Sequence, residues 1–319
     1  MNPARSLYDQ SHFAVVGGGA DRVRVCVTEL GASASSSKSS PGAPLRRVLL
    51  IHGNPSHLDH WLHTVPALRK RAAVLAFDQP GLGRSDDFAD AKQRLERSVD
   101  ITLAVLDHAG WSEPVDIIGQ SHGGLVAVGL AARAPERVRS VVLLGTGGTP
   151  SHPMYRLFRL PGLDRLLLTL GRAMSPKKPP PVAAKAHRWF RPMRGALGGA
   201  RALLGAWLER AAAVAIRTGA TSSFSPDPVP SSVVAEGLRA APTILRTMVR
   251  LAHDSPCEKV ATYARRVRSP VLFIHDAKTA WFPFLTRGAS GRSCVEPGLR
   301  RASSSSKEDT WSISVGRSR

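Results

Sequence analysis

Short apolar runs that alternate with helical stretches constrain this chain more than any other feature. Val48–Leu49–Leu50–Ile51 is a continuous apolar run that stops at His52–Gly53. Residues 61–70 then read as a helix, and Val74 to Phe77 as a second run. Residues 92–109 carry apolar positions at Leu95, Val99, Leu103 and Leu106, a helical spacing. Residues 115–118 form a third run, ending at Gly119; a small-residue helix over 123–134 and a fourth strand over 138–144 follow. Runs this short suit strands covered on both faces. Strand and helix in alternation require right-handed crossovers. The expected fold class is therefore α/β, a mostly parallel, doubly wound sheet.

The rest of the chain divides around that series. Residues 12–17 and 22–30 alternate valine with polar residues and read as two short strands joined at Gly17 to Gly19. Residues 32–44 are rich in Ser, Pro and Gly, a flexible insert. Residues 151–262 show helical stretches at 156–174, 196–217 and 232–252, Pro-rich loops at 176–181 and 226–230, and no strand pattern. Pro270 to Ile274 then restores the buried-strand signal. A helical block between two strands of one sheet reads as a cap over a core made of residues 1–150 and 263–283. Residues 284–319 hold nine serines and six arginines with little apolar content, and read as an unstructured tail.

Composition narrows the function classes. With 319 residues, 43% of them hydrophobic, the chain has room for one large domain with an insert. The net charge is +20, and residues 151–262 alone carry 17 Lys/Arg against 6 Asp/Glu. Such a surplus attracts anionic partners, but no finger spacing or aromatic–basic alternation marks a nucleic-acid module. No nucleic-acid partner is expected. No apolar run is long enough for a transmembrane segment, and MNPARSLYDQ lacks a secretory apolar stretch. Cys26, Cys257 and Cys294 give neither a metal spacing nor a disulfide framework, so a cytoplasmic, reducing location is the default. Nothing calls for a cofactor or a metal, and nothing indicates an oligomeric state.

Gly119–Gln120–Ser121–His122–Gly123 matches G-x-S-x-G. The match alone is common; its context is specific. It follows a buried strand and opens a small-residue helix, the setting of a tight turn that presents a strained serine nucleophile at the carboxyl edge of a sheet. His52–Gly53–Asn54–Pro55 follows the first buried run. In an acyl-transfer site, a loop there supplies one backbone N–H of an oxyanion hole, and the residue after the nucleophile supplies the other. Those residues are Asn54 and His122. The His122 side chain is not the expected base.

These two blocks, with Asp78–Gln79–Pro80–Gly81–Leu82–Gly83–Arg84–Ser85–Asp86 between them, resemble the signature blocks of the α/β-hydrolase family in order and spacing. The likeness covers about residues 12–283, cap included. The Asn-Pro pair is similar to haloalkane dehalogenases and epoxide hydrolases, whose nucleophile is an aspartate. A serine at 121 implies instead an ester, thioester, lactone or amide substrate, handled through an acyl-enzyme. The resemblance makes residues 78–86 a structural turn.

The family pattern breaks near the end. A serine needs a histidine to take its proton and an acid to orient that histidine, in the chain order Ser, acid, His. By register the acid's place is held by Thr279; Asp276, three residues earlier, is the candidate acid. No histidine occurs after His275, so the base is unidentified; His152, His187 and His253 lie in or beside the cap as the remaining candidates. The family's last strand and Gly-His turn are unrecognisable, and the change near residue 284 reads as a shifted frame, an altered splice or a damaged end. Loss of the base costs a serine triad on the order of 10⁴- to 10⁶-fold in rate. The expectation is thus a serine hydrolase of small-molecule acyl substrates with impaired activity. The alternatives are a non-catalytic ligand-binding member of the fold and an inactive truncated product.

Overall fold

The computed structural model describes residues 6–32, 46–54, 56–88, 94–146, 157–174, 246–247, 249–254, 256–276 and 299–304. Most of the expected 32–44 insert, the helix expected over 196–217 and both Pro-rich loops lie outside them. The strands are β1 (Ser11–Val16), β2 (Val23–Leu30), β3 (Arg46–Ile51), β4 (Ala72–Phe77), β5 (Val115–Gln120), β6 (Val138–Leu144), β7 (Val271–Asp276) and β8 (Leu299–Ser304). They form one sheet in the order β1-β2-β4-β3-β5-β6-β7-β8. β1 and β2 pair antiparallel, as do β2 and β4, and every other pairing is parallel. The doubly wound, mostly parallel sheet read from the sequence is the fold observed.

Strand periodicity of two splits the apolar runs between two cores. Leu49, Ile51, Leu75 and Phe77 face one side, with Val99, Ile101, Val105 and Leu106 of α2 (Leu95–His108) and Leu125, Val126 and Leu130 of α3 (His122–Arg133). Val48, Leu50, Val74 and Ala76 face the other, with Leu7, Tyr8, Leu58, Trp61 and Val65. Every residue from His122 to Ala131 is buried, and small side chains let that helix lie close beneath the strand ends.

Two expectations need correction. Residues 61–70 are not one helix: a 3₁₀ turn at Leu58–Trp61 precedes the four-residue α1 (Val65–Leu68). Pro66 lacks a backbone N–H and fits only the first turn of a helix, so α1 starts late. The final strand, read as missing, is also present. Leu299–Ser304 pairs in parallel with β7, from Val271↔Leu299 to Asp276↔Ser304. Without β8 the outer edge of β7 would carry unpaired main-chain groups, and backbone pairing there places little demand on the side chains of the segment that fills it. Other residues of the expected tail lie outside the described ones.

The described parts of residues 151–262 are helical: α4 (Leu163–Met174), residues 249–254, and the start of α5 (Pro256–Ala264), which runs two residues past that block. Residues 246–247 and 249–254 dock on the turn after β4. The Thr247 hydroxyl donates to Gly81 O at 3.2 Å, and Arg250 pairs with Asp87. Val249, Leu251 and Ala252 are buried there.

Candidate active site

Ser121 stands between β5 and α3 with φ 50° and ψ −117°. Among the described residues it is the only non-glycine with positive φ. Side-chain residues occupy this region only when the surroundings hold them there, at a cost of about 1–3 kcal/mol. Its N–H donates to Leu144 O at 2.9 Å, and its carbonyl accepts from Gly124 N at 3.0 Å. The strain is thus fixed from both sides, by β6 and by the first turn of α3.

The flanking glycines are required by close approach. A Cβ on Gly123 would lie 2.5 Å from His52 O, and one on Gly53 would lie 3.0 Å from Ser121 Cβ. The end of β3, the loop after it and the start of α3 therefore press together around Ser121. His122 is the first residue of α3, where backbone N–H groups have no partner within the helix. Asn54 is half-buried beside Gly53, and its Oδ1 is buried with no hydrogen-bond partner among the described residues. The loop and the helix start thus converge on Ser121 from two elements.

His52 explains how the loop is held. Gln79 N–H donates to its Nε2 at 3.0 Å, so the ring proton sits on Nδ1, which donates to Gly53 O at 2.8 Å. Burial pushes its pKa down to about 3, against the raising effect of the Gly53 bond. His52 is therefore a neutral clamp, and its 3.7 Å approach to Asp78 Oδ1 is not an ion pair. The Gln79 amide donates in return to His52 O at 2.5 Å. Asp78 is fully buried, and its carboxylate accepts from Leu58 N, Arg84 N and the Tyr8 hydroxyl at 2.7, 2.8 and 2.9 Å. The turn over residues 78–86 is structural in this sense, as the resemblance implies.

Sheet register places Asp276 at the same edge as Ser121. Gln120 aligns with Leu144, and Leu144 with Ile274, so Asp276 lies two residues past the row that Ser121 follows by one. Two strand spacings, roughly 10 Å, separate β5 from β7. The Asp276 side chain and Thr279 lie outside the described residues, as do His152 and His187. His275 lies in β7, aligned with Ser303. His253 is half-exposed and pairs with Asp164 of α4 at 3.2 Å. Burial holds the His122 imidazole down to about 4, which keeps it neutral. Among the described residues no hydrogen bond joins an imidazole to Ser121.

Sequence reading missed Tyr8 and Asp59, which reach this loop from outside every motif. Their contacts span 70 and 52 positions, and no spacing signals them.

Comparison with known proteins bears on the fold and the family. Residues 46–221, more than half of the chain, match the family model described as alpha/beta hydrolase fold. The chain is 40% identical over 113 residues to 2-hydroxymuconate semialdehyde hydrolase of Pseudomonas sp. (strain CF600), covering 34% of this chain and 38% of that protein. It is also 40% identical over 106 residues to pimeloyl-[acyl-carrier protein] methyl ester esterase of Neisseria meningitidis, covering 33% and 38%. Each alignment thus spans less than two-fifths of the curated relative. Among solved structures, the enol-lactonase from Burkholderia xenovorans LB400 aligns with TM-score 0.54 and 18% identity over 92% of this chain and 90% of that one, a likeness of fold. In the described residues no helix is long and apolar enough to cross a membrane. That family match covers more than half of the chain, and the doubly wound sheet agrees with its description, so the chain belongs to the alpha/beta hydrolase fold family.

Proposed function

We propose that the chain is a hydrolase of small ester-like substrates, such as a carboxylic ester, lactone or thioester, with Ser121 as the nucleophile. The observation that carries this reading is the backbone of Ser121, the one non-glycine held at positive φ among the described residues. A fold keeps such strain where it serves a task, here exposing a hydroxyl at the head of a helix. In the proposed reaction Ser121 Oγ attacks the acyl carbon and its proton passes to a base. The carbonyl oxygen, now an anion, is held by the N–H groups of Asn54 and His122. The leaving alcohol or thiol departs with a proton, and water then releases the acid from the acyl-enzyme. A relative named as a methyl ester esterase supports this substrate class, and one named as a semialdehyde hydrolase supports hydrolysis in general. Asp276 is the proposed acid, on its place at the carboxyl edge of the sheet. In this reading residues 157–174 and 249–254 are part of a helical lid over the site; α5 is core instead, since Val260 and Tyr263 pack against the cluster that holds α2 and α3.

A fluorophosphonate probe tests the reading. Ser121 should be the one serine labelled, and Ser121→Ala should abolish labelling while the thermal transition is retained. Labelling elsewhere, or none at all, would overturn it. Saturable binding of an ester analogue without labelling would place the chain among ligand-binding members of the fold. Turnover of a p-nitrophenyl ester should be slow, well below ordinary enzyme rates of about 1 to 10³ per second. Turnover within that range would show that an efficient base is present.

A further inference from the structure

The loop that carries Asn54 is anchored at its near end by His52 and at its far end by a segment that precedes β1. Asp59 is buried; its Oδ1 accepts Leu7 N–H and its Oδ2 accepts the Ser6 hydroxyl, each at 2.7 Å. The buried Tyr8 donates its hydroxyl to Asp78 Oδ2 at 2.9 Å, and Asp78 Oδ1 in turn accepts Leu58 N–H at 2.7 Å. The Tyr8 ring stacks on His57 with centroids 6.1 Å apart, and the Arg84 guanidinium lies 3.8 Å from the Tyr8 centroid. Thr28 of β2 donates to Leu7 O at 3.2 Å and ties the same segment to the sheet. Residues 57–59 are thus gripped three times over, each time by Ser6 to Tyr8 directly or through Asp78.

We propose that Ser6 to Tyr8 form a clasp that sets the aim of the Asn54 N–H, with Tyr8 and Asp59 as positioning residues for the oxyanion hole. The proposal rests on the serine-hydrolase reading above. Its physics is preorganisation. A donor acts on a developing oxyanion only if it already points there, and displacement by about 1 Å costs on the order of 10²-fold in rate. Asn54 lies only three to five residues from the gripped positions, so their release frees its peptide plane. A charged acceptor for backbone N–H also makes a stronger bond than a neutral one. That favours a carboxylate at 59.

The test uses the full chain with Tyr8→Phe, Asp59→Ala and Asp59→Asn. Acylation of Ser121 by p-nitrophenyl acetate is followed by stopped flow, and amide hydrogen exchange is read over residues 53–58. Tyr8→Phe keeps the ring and removes one hydrogen bond. It should lower the acylation rate constant about 10-fold, leave the half-saturating ester concentration within about twofold, and speed exchange in the loop. Asp59→Ala should act more strongly, and Asp59→Asn, which still offers an acceptor, should restore part of the rate. If the unaltered chain acylates but the variants match it in rate and loop exchange, the clasp is overturned and the serine reading stands. Rate, half-saturation and global stability falling together, with Asp59→Asn no better than Asp59→Ala, would mark a merely structural contact and also overturn it. No acylation by the unaltered chain would overturn the serine reading and the clasp's role with it; loop exchange would then show only whether the segment holds the loop.

Discussion

At Ser121 the chain stores strain that a glycine would not feel. With φ 50° and ψ −117°, the backbone lies where a Cβ is disfavoured by about 1–3 kcal/mol. Ser121→Gly removes that Cβ, whereas Ser121→Ala keeps it. Both variants should lose reaction with activated phosphonates. Ser121→Gly should nonetheless be the more stable of the two, by about 1 kcal/mol after the extra chain entropy of glycine is offset. Urea denaturation of the pair decides this; equal midpoints would mean that the turn is relaxed. The neighbouring Gly53 tests the other side of the contact. A Cβ there would meet the Gln120 amide and lie 3.0 Å from Ser121 Cβ, so something must shift. Gly53→Ala should therefore lower acylation of Ser121 by at least about 10-fold, with unchanged far-ultraviolet dichroism, because the displacement falls on the reacting geometry. An unaltered rate would show that the loop yields away from the serine.

Among the elements, β8 offers the sharpest test, since its sequence gave no warning of it. LRRASS has only Leu299 and Ala302 as apolar residues, and neither alternates as a half-buried strand does. β8 closes the described sheet on one side, so only alternate residues turn their N–H toward β7. Proline removes that donor. The double variants Leu299→Pro with Arg301→Pro, and Arg300→Pro with Ala302→Pro, should therefore differ. One pair should destabilise the protein by about 1–3 kcal/mol and the other by much less. Equal, negligible effects from both would show that β8 contributes no pairing. The same contrast explains what could be read in advance. β3 and β4 were legible because burial on both faces demands the apolar residues that hydropathy detects, and β5 because Val115 and Ile117 are buried in one core while Ile118 packs against the other. The turn at Ser121 was legible because its glycines are forced by close backbone contacts. β8, the broken helix around Pro66 and the grip of Tyr8 and Asp59 on the Asn54 loop were not, because main-chain pairing, a missing N–H and contacts distant in sequence leave no periodic trace.

For the whole molecule, buried neutral histidines couple stability to acid. Burial lowers the pKa of His52 to about 3 and of His122 to about 4, against an ordinary 6.5. The unfolded chain therefore takes up protons first. Their contribution is fully present above pH 6.5 and is lost as pH falls toward 4 and then 3, with a slope of up to about 1.4 kcal/mol per pH unit for each histidine. A second acid effect acts in the same direction, since a chain of net charge +20 repels itself more as its carboxylates are neutralised. Salt separates the two, because it screens exposed charges and leaves buried rings untouched. His122 is the better probe, since its Nδ1 has no hydrogen-bond partner among the described residues and an apolar side chain there abandons no bond at that atom. His122→Leu should flatten the decline in unfolding free energy between pH 6.5 and 4 by about one proton's slope, in 0.5 M salt as in dilute buffer. His52→Gln should destabilise the protein even at pH 8, since it disrupts the bonds to Gln79 and Gly53. If high salt alone removed the acid slope, the cause would be the positive surface and not the two imidazoles beside the Ser121 turn.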